Sequence, residues 1–150
     1  MRGFTLIEIL VVIAIAAILF TIVVSGFSGL RQNSDLSHAI DDSVSYLQSA
    51  RAKSLSAENA TVYGVHFETG RFVLFTGTTY DAGNAANIVR LLPSTVETSA
   101  ISLNGGAVDV VFKRLTGETD AYGTITFRLI SSPSTTKTIE IVSTGLSGVQ

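Results

Sequence analysis

Residues 3–24 read GFTLIEILVVIAIAAILFTIVV, an apolar run that contains a single charged side chain, Glu8. As an α-helix, the segment from Phe4 to Val24 would extend about 31 Å, close to the thickness of a bilayer core. The segment is apolar on every face, which is typical of a membrane span and unusual for a helix inside a small domain. Residues 4–24 are therefore predicted to form a transmembrane and assembly helix.

A buried core helix and a secretory signal peptide are the two alternatives to a membrane span for this run. Ala14-Ile15-Ala16 fits a signal peptidase site, but cleavage there would leave the apolar sequence AILFTIVV at the new amino terminus. The positive region before the run would also contain only Arg2 and the initiator amine. Because no further positive charge occurs before Arg31, the amino terminus is predicted to face the cytoplasm.

Glu8 is the unusual residue of the apolar run, because a carboxylate in hydrocarbon is unfavourable by a few kcal/mol, at about 2.5–3.5 on insertion scales. Two roles for this residue remain open. Near the membrane edge the side chain can reach the interface, and the residue then has no special role. Alternatively, Glu8 pairs with a cation that another molecule delivers.

The motif Gly3-Phe4-Thr5-Leu6-Ile7-Glu8, followed by a long apolar helix, resembles the class III signal of type IV pilins and type II secretion pseudopilins. The resemblance implies that a prepilin peptidase removes the leader, residues 1–3, by cutting between Gly3 and Phe4. It also implies methylation of the new amino terminus at Phe4 and pairing of Glu8 with the Phe4 amine of a neighbouring subunit. Many pilins carry proline where this chain has Ser25. A bend or local melting at residues 25–29 is predicted here because glycine and serine weaken a helix.

The second half of the helix is predicted to be amphipathic. Its apolar side chains form one stripe, with Ala50 beside it: Leu36, Ile40, Val44, Leu47 and Leu55. The helix is predicted to continue to about Ala57, with Asn59 as a stop signal. Residues 25–57 thus form the amphipathic continuation of the transmembrane helix.

Residues 58–150 are predicted to form an extracytoplasmic β-sheet domain. Alternation and turn residues place strands at 61–67, 71–76, 88–92, 96–103, 108–113, 124–130 and 138–142, with a hairpin turn at 68–70 and a loop at 77–87. The predicted fold class is α+β, a long amino-terminal helix packed on one antiparallel sheet of five to seven strands.

Two further segments resemble the H-type minor pseudopilins, the GspH/FimT-like group: LQSARAKSLSAENATVYGVHFETGRF (residues 47–72) and TKTIEIVSTGLSG (residues 136–148). Relatives in that group often have arginine after the late glycine, and some bind DNA through basic residues in the tail. Here Leu146 follows Gly145, and the last five residues contain no basic side chain. The resemblance therefore favours a minor subunit without nucleic-acid binding.

Signals for catalysis or cofactor binding are weak. The chain has no cysteine, a net charge of −2 and no basic run longer than Lys113-Arg114. His38 is predicted to be a solvated helix residue and His66 a residue on a strand face, and the acidic loops around Asp81 and Asp120 are predicted to be solvated turns. No enzyme activity, cofactor or metal site is predicted.

The sequence thus predicts a structural subunit, a minor pilin or pseudopilin, of a type IV pilus or type II secretion pseudopilus. Its implied partners are other pilin subunits, the prepilin peptidase and methyltransferase, an assembly platform in the bacterial inner membrane, and lipid before assembly. The alternatives are a major pilin of an adhesive or twitching filament and a DNA-uptake receptor pilin. The receptor would need a converging set of cations, drawn from Arg51, Lys53, Arg71, Arg90, Lys113, Arg114 and Arg128. A membrane-tethered enzyme is the remaining class, for which no residue cluster stands out.

Overall fold

The computed structural model describes residues 4–150, apart from the side chains of residues 23–28. One α-helix, α1 (Leu6–Leu55), is followed within the described chain by eight strands. The strands are β1 (Tyr63–Phe67), β2 (Arg71–Thr76), β3 (Ile88–Leu91), β4 (Val96–Leu103), β5 (Asp109–Phe112), β6 (Gly123–Leu129), β7 (Thr136–Ile141) and β8 (Ser147–Val149). Short 3₁₀ turns occupy Glu58–Ala60 and Asn104–Gly106. The chain divides into two compact units, residues 1–34 and 35–150.

The helix α1 is α-helical through residues 25–29, so the local melting that glycine and serine suggest there is not observed. It ends at Leu55, two residues before the predicted end at Ala57. The chain then turns sharply, and Ala57 and Asn59 both adopt left-handed backbone angles, with φ of 51° and 53°. The carbonyl of Ser54, in the last turn, accepts the N–H of Leu115 at 3.0 Å. The same carbonyl also accepts the N–H of Ala57 at 3.1 Å, so the helix end is closed both by the following turn and by the segment after β5.

The strands form two antiparallel sheets of four strands, with the orders β3-β2-β1-β5 and β4-β6-β7-β8. The predicted α+β class and the hairpin from β1 to β2 are confirmed, but the prediction of one sheet with five to seven strands is wrong. Strand β8 was missed because it has only three residues, one of them glycine. The division into two sheets depends on β5 returning to pair with β1, a contact between distant segments that no local pattern reveals.

The hydrophobic core lies between the second half of α1 and the inner faces of both sheets. Rings connect the three layers: Tyr46 of α1 meets Phe72 edge-on at 5.0 Å, and Phe67 lies 5.9 Å from Phe72 and 6.4 Å from Phe127 between ring centres. Aromatic pairs at these separations add to the free energy gained by burying their surface. Phe127 belongs to the second sheet, so this cluster joins the two sheets.

The predicted apolar stripe of α1 is only partly the buried face. Leu36, Ile40, Leu47 and Ala50 are buried as predicted, whereas Val44 and Leu55 are half-buried. Two serines, Ser43 and Ser54, are fully buried on the same helix. Hydrophobicity alone gave no reason to place these two hydroxyl groups inside.

Candidate functional site: the amino-terminal helix

The helix α1 begins just after the predicted cleavage site. Phe4 precedes the helix and is 80 % exposed. The Thr5 hydroxyl accepts the N–H of Glu8 at 3.4 Å, and the Thr5 carbonyl accepts the N–H of Ile9 at 3.3 Å. Thr5 is therefore the amino-terminal cap of α1, because its side chain satisfies an N–H that the first helical turn leaves without a partner.

Glu8 is the third residue of the helix and its carboxylate lies in the first turn. A helix start carries partial positive charge, so an acid in this turn stabilises the helix. The spacing Thr5-x-x-Glu8 is also that of a capping box, a signal that was readable in the sequence and was missed. Glu8 thus has a structural reason for its position within its own helix, in addition to the proposed pairing between subunits.

The described side chains between Phe4 and Ile22 are exposed without exception. The large apolar members of this surface, which we call the assembly surface, are Phe4, Leu6, Ile7, Ile9, Leu10, Val11, Val12, Ile13, Ile15, Ile18, Leu19, Phe20 and Ile22. Contiguous apolar surface of this extent marks an interaction with lipid or with protein. Among the residues that the structure describes, no helical segment is both long and apolar enough to cross a membrane.

Part of the predicted site lies outside the residues that the structure describes. Gly3 and the rest of the leader are outside the described residues, and the predicted span 4–24 ends at two residues whose side chains are not described. The pairing of Glu8 with an amine on another copy requires a second chain. Cleavage, methylation and pairing therefore stay predictions.

The cations considered for a DNA-binding surface are mostly engaged with neighbouring groups. Five of them pair with carboxylates: Lys53 with Glu58, Arg71 with Glu68, Arg90 with Asp42, Lys113 with Asp120, and Arg128 with Glu97. The other two, Arg51 and Arg114, donate hydrogen bonds to backbone carbonyls. A cation that already faces a carboxylate contributes little net positive potential toward phosphates.

The histidines and acidic loops occupy separate places. His38 is exposed on α1, as predicted, whereas His66 is largely buried between two carboxylates on the first sheet. In the described part of the chain, no group of three or more histidine, aspartate or glutamate side chains is arranged to hold a metal ion. The carboxylate of Asp81 accepts the N–H of Gly83, and Asp120 pairs with Lys113 at 2.7 Å, so both acidic loops use these oxygens in local contacts.

Gly145, the late glycine of the tail, lies where three parts of the domain meet. Gly145 has φ of +78°, and a Cβ atom there would lie 1.8 Å from the carbonyl oxygen of Gly117. Arg51 of α1 points its Nε–H at that oxygen and at the carbonyl of Thr144, at 3.3 and 3.4 Å. The glycine at this position is therefore required by close backbone contact.

Comparison with known proteins bears on the amino terminus. Residues 1–24 match the family model described as the prokaryotic N-terminal methylation motif. No curated protein and no solved structure matches the chain. The motif match supports the resemblance to pilins and pseudopilins and a prepilin type of processing, and it does not reach the segments that resemble the H-type group.

Proposed function

We propose that this chain is a structural subunit of a type IV pilus or type II secretion pseudopilus, processed by a prepilin peptidase and assembled through its amino-terminal helix. The observation that carries the proposal is the match of residues 1–24 to the methylation motif, directly on the segment whose apolar side chains are exposed in the single chain. The processing motif and the exposed apolar surface thus lie on the same segment of the chain.

In the proposed pathway, the precursor is a single-pass protein of the bacterial inner membrane, with its amino terminus in the cytoplasm and its β-sheet domain, residues 58–150, outside. The peptidase cuts between Gly3 and Phe4, and the new amine of Phe4 is methylated. The cut falls just before the helix, since α1 begins at Leu6. The assembly platform then moves the assembly surface from lipid into a bundle of neighbouring subunits.

Burial of apolar surface does not by itself favour the bundle over the membrane, because lipid tails are as apolar as leucine. Transfer into the bundle must therefore be driven by close packing and by polar contacts. We propose that Glu8 of one copy and the Phe4 amine of the next supply that polar contact. The pair fixes the stagger between subunits, because each copy brings one carboxylate and one cation near the same end of its helix.

The finer assignment is a minor subunit of the H type, which rests on the two segments that resemble this group. We expect such a subunit to lie beneath another one, with its Glu8 carboxylate paired with the Phe4 amine of that neighbour. The engagement of the candidate cations disfavours the DNA-receptor alternative.

The test combines intact mass with an assembly assay in cells that contain the peptidase and platform. The wild-type chain is expected to yield a product that begins at methylated Phe4, and G3V is expected to remain uncut. For E8A we expect normal cutting but incorporation into filaments reduced about a hundredfold or more, since removing one partner of a buried ion pair costs roughly 3–5 kcal/mol.

The matched control is D41A, which removes an exposed carboxylate from the second half of the same helix. We expect D41A to be cut and incorporated like the wild type. Equal incorporation of E8A and D41A would refute the pairing, and a mature product that begins after Ala16 would refute the pilin-type processing itself.

A further inference from the structure

Strand β3 is an exposed edge of the first sheet. It pairs with β2 on one side, and in the described part of the chain no strand pairs with it on the other. All four of its residues are exposed, and three of them are apolar: Ile88, Val89 and Leu91, at 50, 48 and 70 %. An exposed apolar edge is a ready template for pairing with another chain.

The hydrogen bonds to β2 determine which backbone groups of β3 point outward. Just after the strand, the N–H of Leu92 bonds to the carbonyl of Gly70 at 3.0 Å, so these residues form a hydrogen-bonded pair. Such pairs alternate with non-hydrogen-bonded pairs along an antiparallel ladder. Arg90 therefore bonds to β2, whereas the N–H and C=O groups of Val89 and Leu91 point away from it. These are the groups that an added strand would bind.

The one charged side chain of β3 is already neutralised within its own copy. Arg90 donates from Nε and Nη2 to Oδ2 of Asp42 on α1, at 2.9 and 2.6 Å. An unpaired charge on an edge strand normally repels a second strand of the same kind. Because Arg90 carries its own carboxylate partner, two β3 edges can approach without a net charge between them.

The other three sheet edges of the described chain are each less suited to pairing. Strand β5 is buried or half-buried along its whole length. Strand β4 contains a bulge between Thr98 and Ala100, which interrupts a regular ladder. Strand β8 has only three residues, one of them Gly148. Among these edges, β3 is thus the one that combines full exposure with a regular, apolar strand.

A second copy of β3 is complementary to this edge. In an antiparallel pair with its two-fold axis at Arg90, Val89 of one copy lies opposite Leu91 of the other, and their outward N–H groups meet outward carbonyls. The same pairing brings valine against leucine on the outer face, a favourable apolar cross-strand contact. On the face toward α1, two guanidinium groups meet together with the two Asp42 carboxylates, so the four charges sum to zero.

We propose that β3 is a self-pairing edge, through which two copies of this chain join their four-stranded sheets into one continuous sheet with the two-fold axis at Arg90. The contact uses no residue of the assembly surface, so it does not rest on the proposed function. Because a two-fold contact closes on itself, it joins two copies and does not by itself extend a filament.

The first test uses single cysteines, since the natural chain has none. R90C would place two cysteines in a non-hydrogen-bonded pair with Cα atoms about 4.5 Å apart, within disulfide reach. V89C is the matched control, because its two copies would lie roughly 8–9 Å apart, beyond that reach. For the full-length chain in excess detergent micelles under mild oxidation, we expect R90C to form the linked dimer at least about tenfold faster than V89C. Equal rates would overturn the proposed pairing.

The second test leaves Arg90 intact and measures association by sedimentation equilibrium in density-matched detergent. L91K adds a charge to the edge at a position that is 70 % exposed, and the control L146K makes the same change at a 59 % exposed residue beside β8. Between about 10 and 500 µM, we expect the wild type and L146K to dimerise with rising concentration. L91K should weaken dimerisation at least about tenfold.

Three results of the sedimentation test would overturn the proposal. They are a wild type that stays monomeric over the whole concentration range, an L91K variant that associates like the wild type, and an L146K variant that loses association as much as L91K does. The last result would assign the contact to the β8 edge as well, which a β3–β3 pair does not involve.

Discussion

The two buried serines of α1 should lose very different amounts of stability when each is replaced by alanine. Ser54 and Ser43 are both fully buried, but their hydroxyl groups have different partners. Ser54 Oγ accepts the backbone N–H of Tyr63 at 2.9 Å, at the start of β1. Ser43 Oγ donates to the carbonyl of Ala39 at 2.7 Å, one turn earlier in the same helix.

The expected magnitudes follow from what each replacement leaves behind. S54A strands the buried N–H of Tyr63, which costs about 1–3 kcal/mol, and alanine returns about 0.5 kcal/mol through its higher helix propensity. S43A leaves no group without a partner, because the Ala39 carbonyl is the regular acceptor of the helical N–H four residues later. We therefore expect S54A to lower the free energy of unfolding by about 1.5 kcal/mol and S43A to change it by less than about 0.5 kcal/mol.

The assay is equilibrium unfolding in urea, with the full-length chain in a mild detergent that covers the assembly surface. For a urea slope of about 1–3 kcal/mol/M, a loss of about 1.5 kcal/mol moves the unfolding midpoint down by roughly 0.5–1.5 M. The assignment of distinct roles to the two hydroxyl groups would be refuted if both variants shifted the midpoint equally, or if S43A shifted it more.

Two further variants test the tail and the acidic turn. G145A is expected to destabilise the domain by about 3 kcal/mol or more, because alanine is strained at φ of +78° and its Cβ would meet a carbonyl oxygen at 1.8 Å. In the control G148A, no atom lies within 4 Å of the added Cβ, so its free energy of unfolding should stay within about 0.5 kcal/mol of the wild type. Similar losses of stability in the two variants would contradict the packing argument. The pKa of Glu68 is lowered, chiefly by its hydrogen bond to Arg71. The stabilising contribution of Glu68 is therefore present above the pKa of the unfolded state. It is lost as the pH falls through the lower pKa of the folded state. Between about pH 5 and 3, E68Q should therefore lose less stability than the wild type in thermal melts. The difference should be under about 1 kcal/mol, because the side chain is partly exposed.

Local sequence signals predicted the elements of this fold well. The predicted bounds of β2 and β4 agree with the structure to the residue, because turn residues flank both strands: Gly70 and Gly77 for the first, Pro93 and Asn104 for the second. The helix was predicted to within two residues at its end, since its apolar period and the turn residues after it are both local. Such signals depend only on neighbours along the chain.

The sheet arrangement and the contacts of His66 were not predictable in this way. His66 meets Asp109 across 43 positions of sequence, and Tyr80 reaches it from a loop with no periodic pattern. The burial of Ser54 likewise depends on a backbone N–H nine residues away that only the turn brings close. These contacts arise from long-range pairing. The capping spacing of Thr5 and Glu8 is local, in contrast, and could have been recognised in the sequence.

The position at which the core begins has a consequence for how this sequence can vary. Among the described residues, the first member of the core is Leu36, and the assembly surface ends before it. Substitutions of the assembly surface should thus leave the stability of residues 35–150 nearly unchanged, because none of its side chains belongs to that core. The assembly surface can accordingly adapt its contacts with lipid or neighbours without a loss of core packing, and chimaeras that exchange residues 4–22 should preserve the stability of residues 35–150.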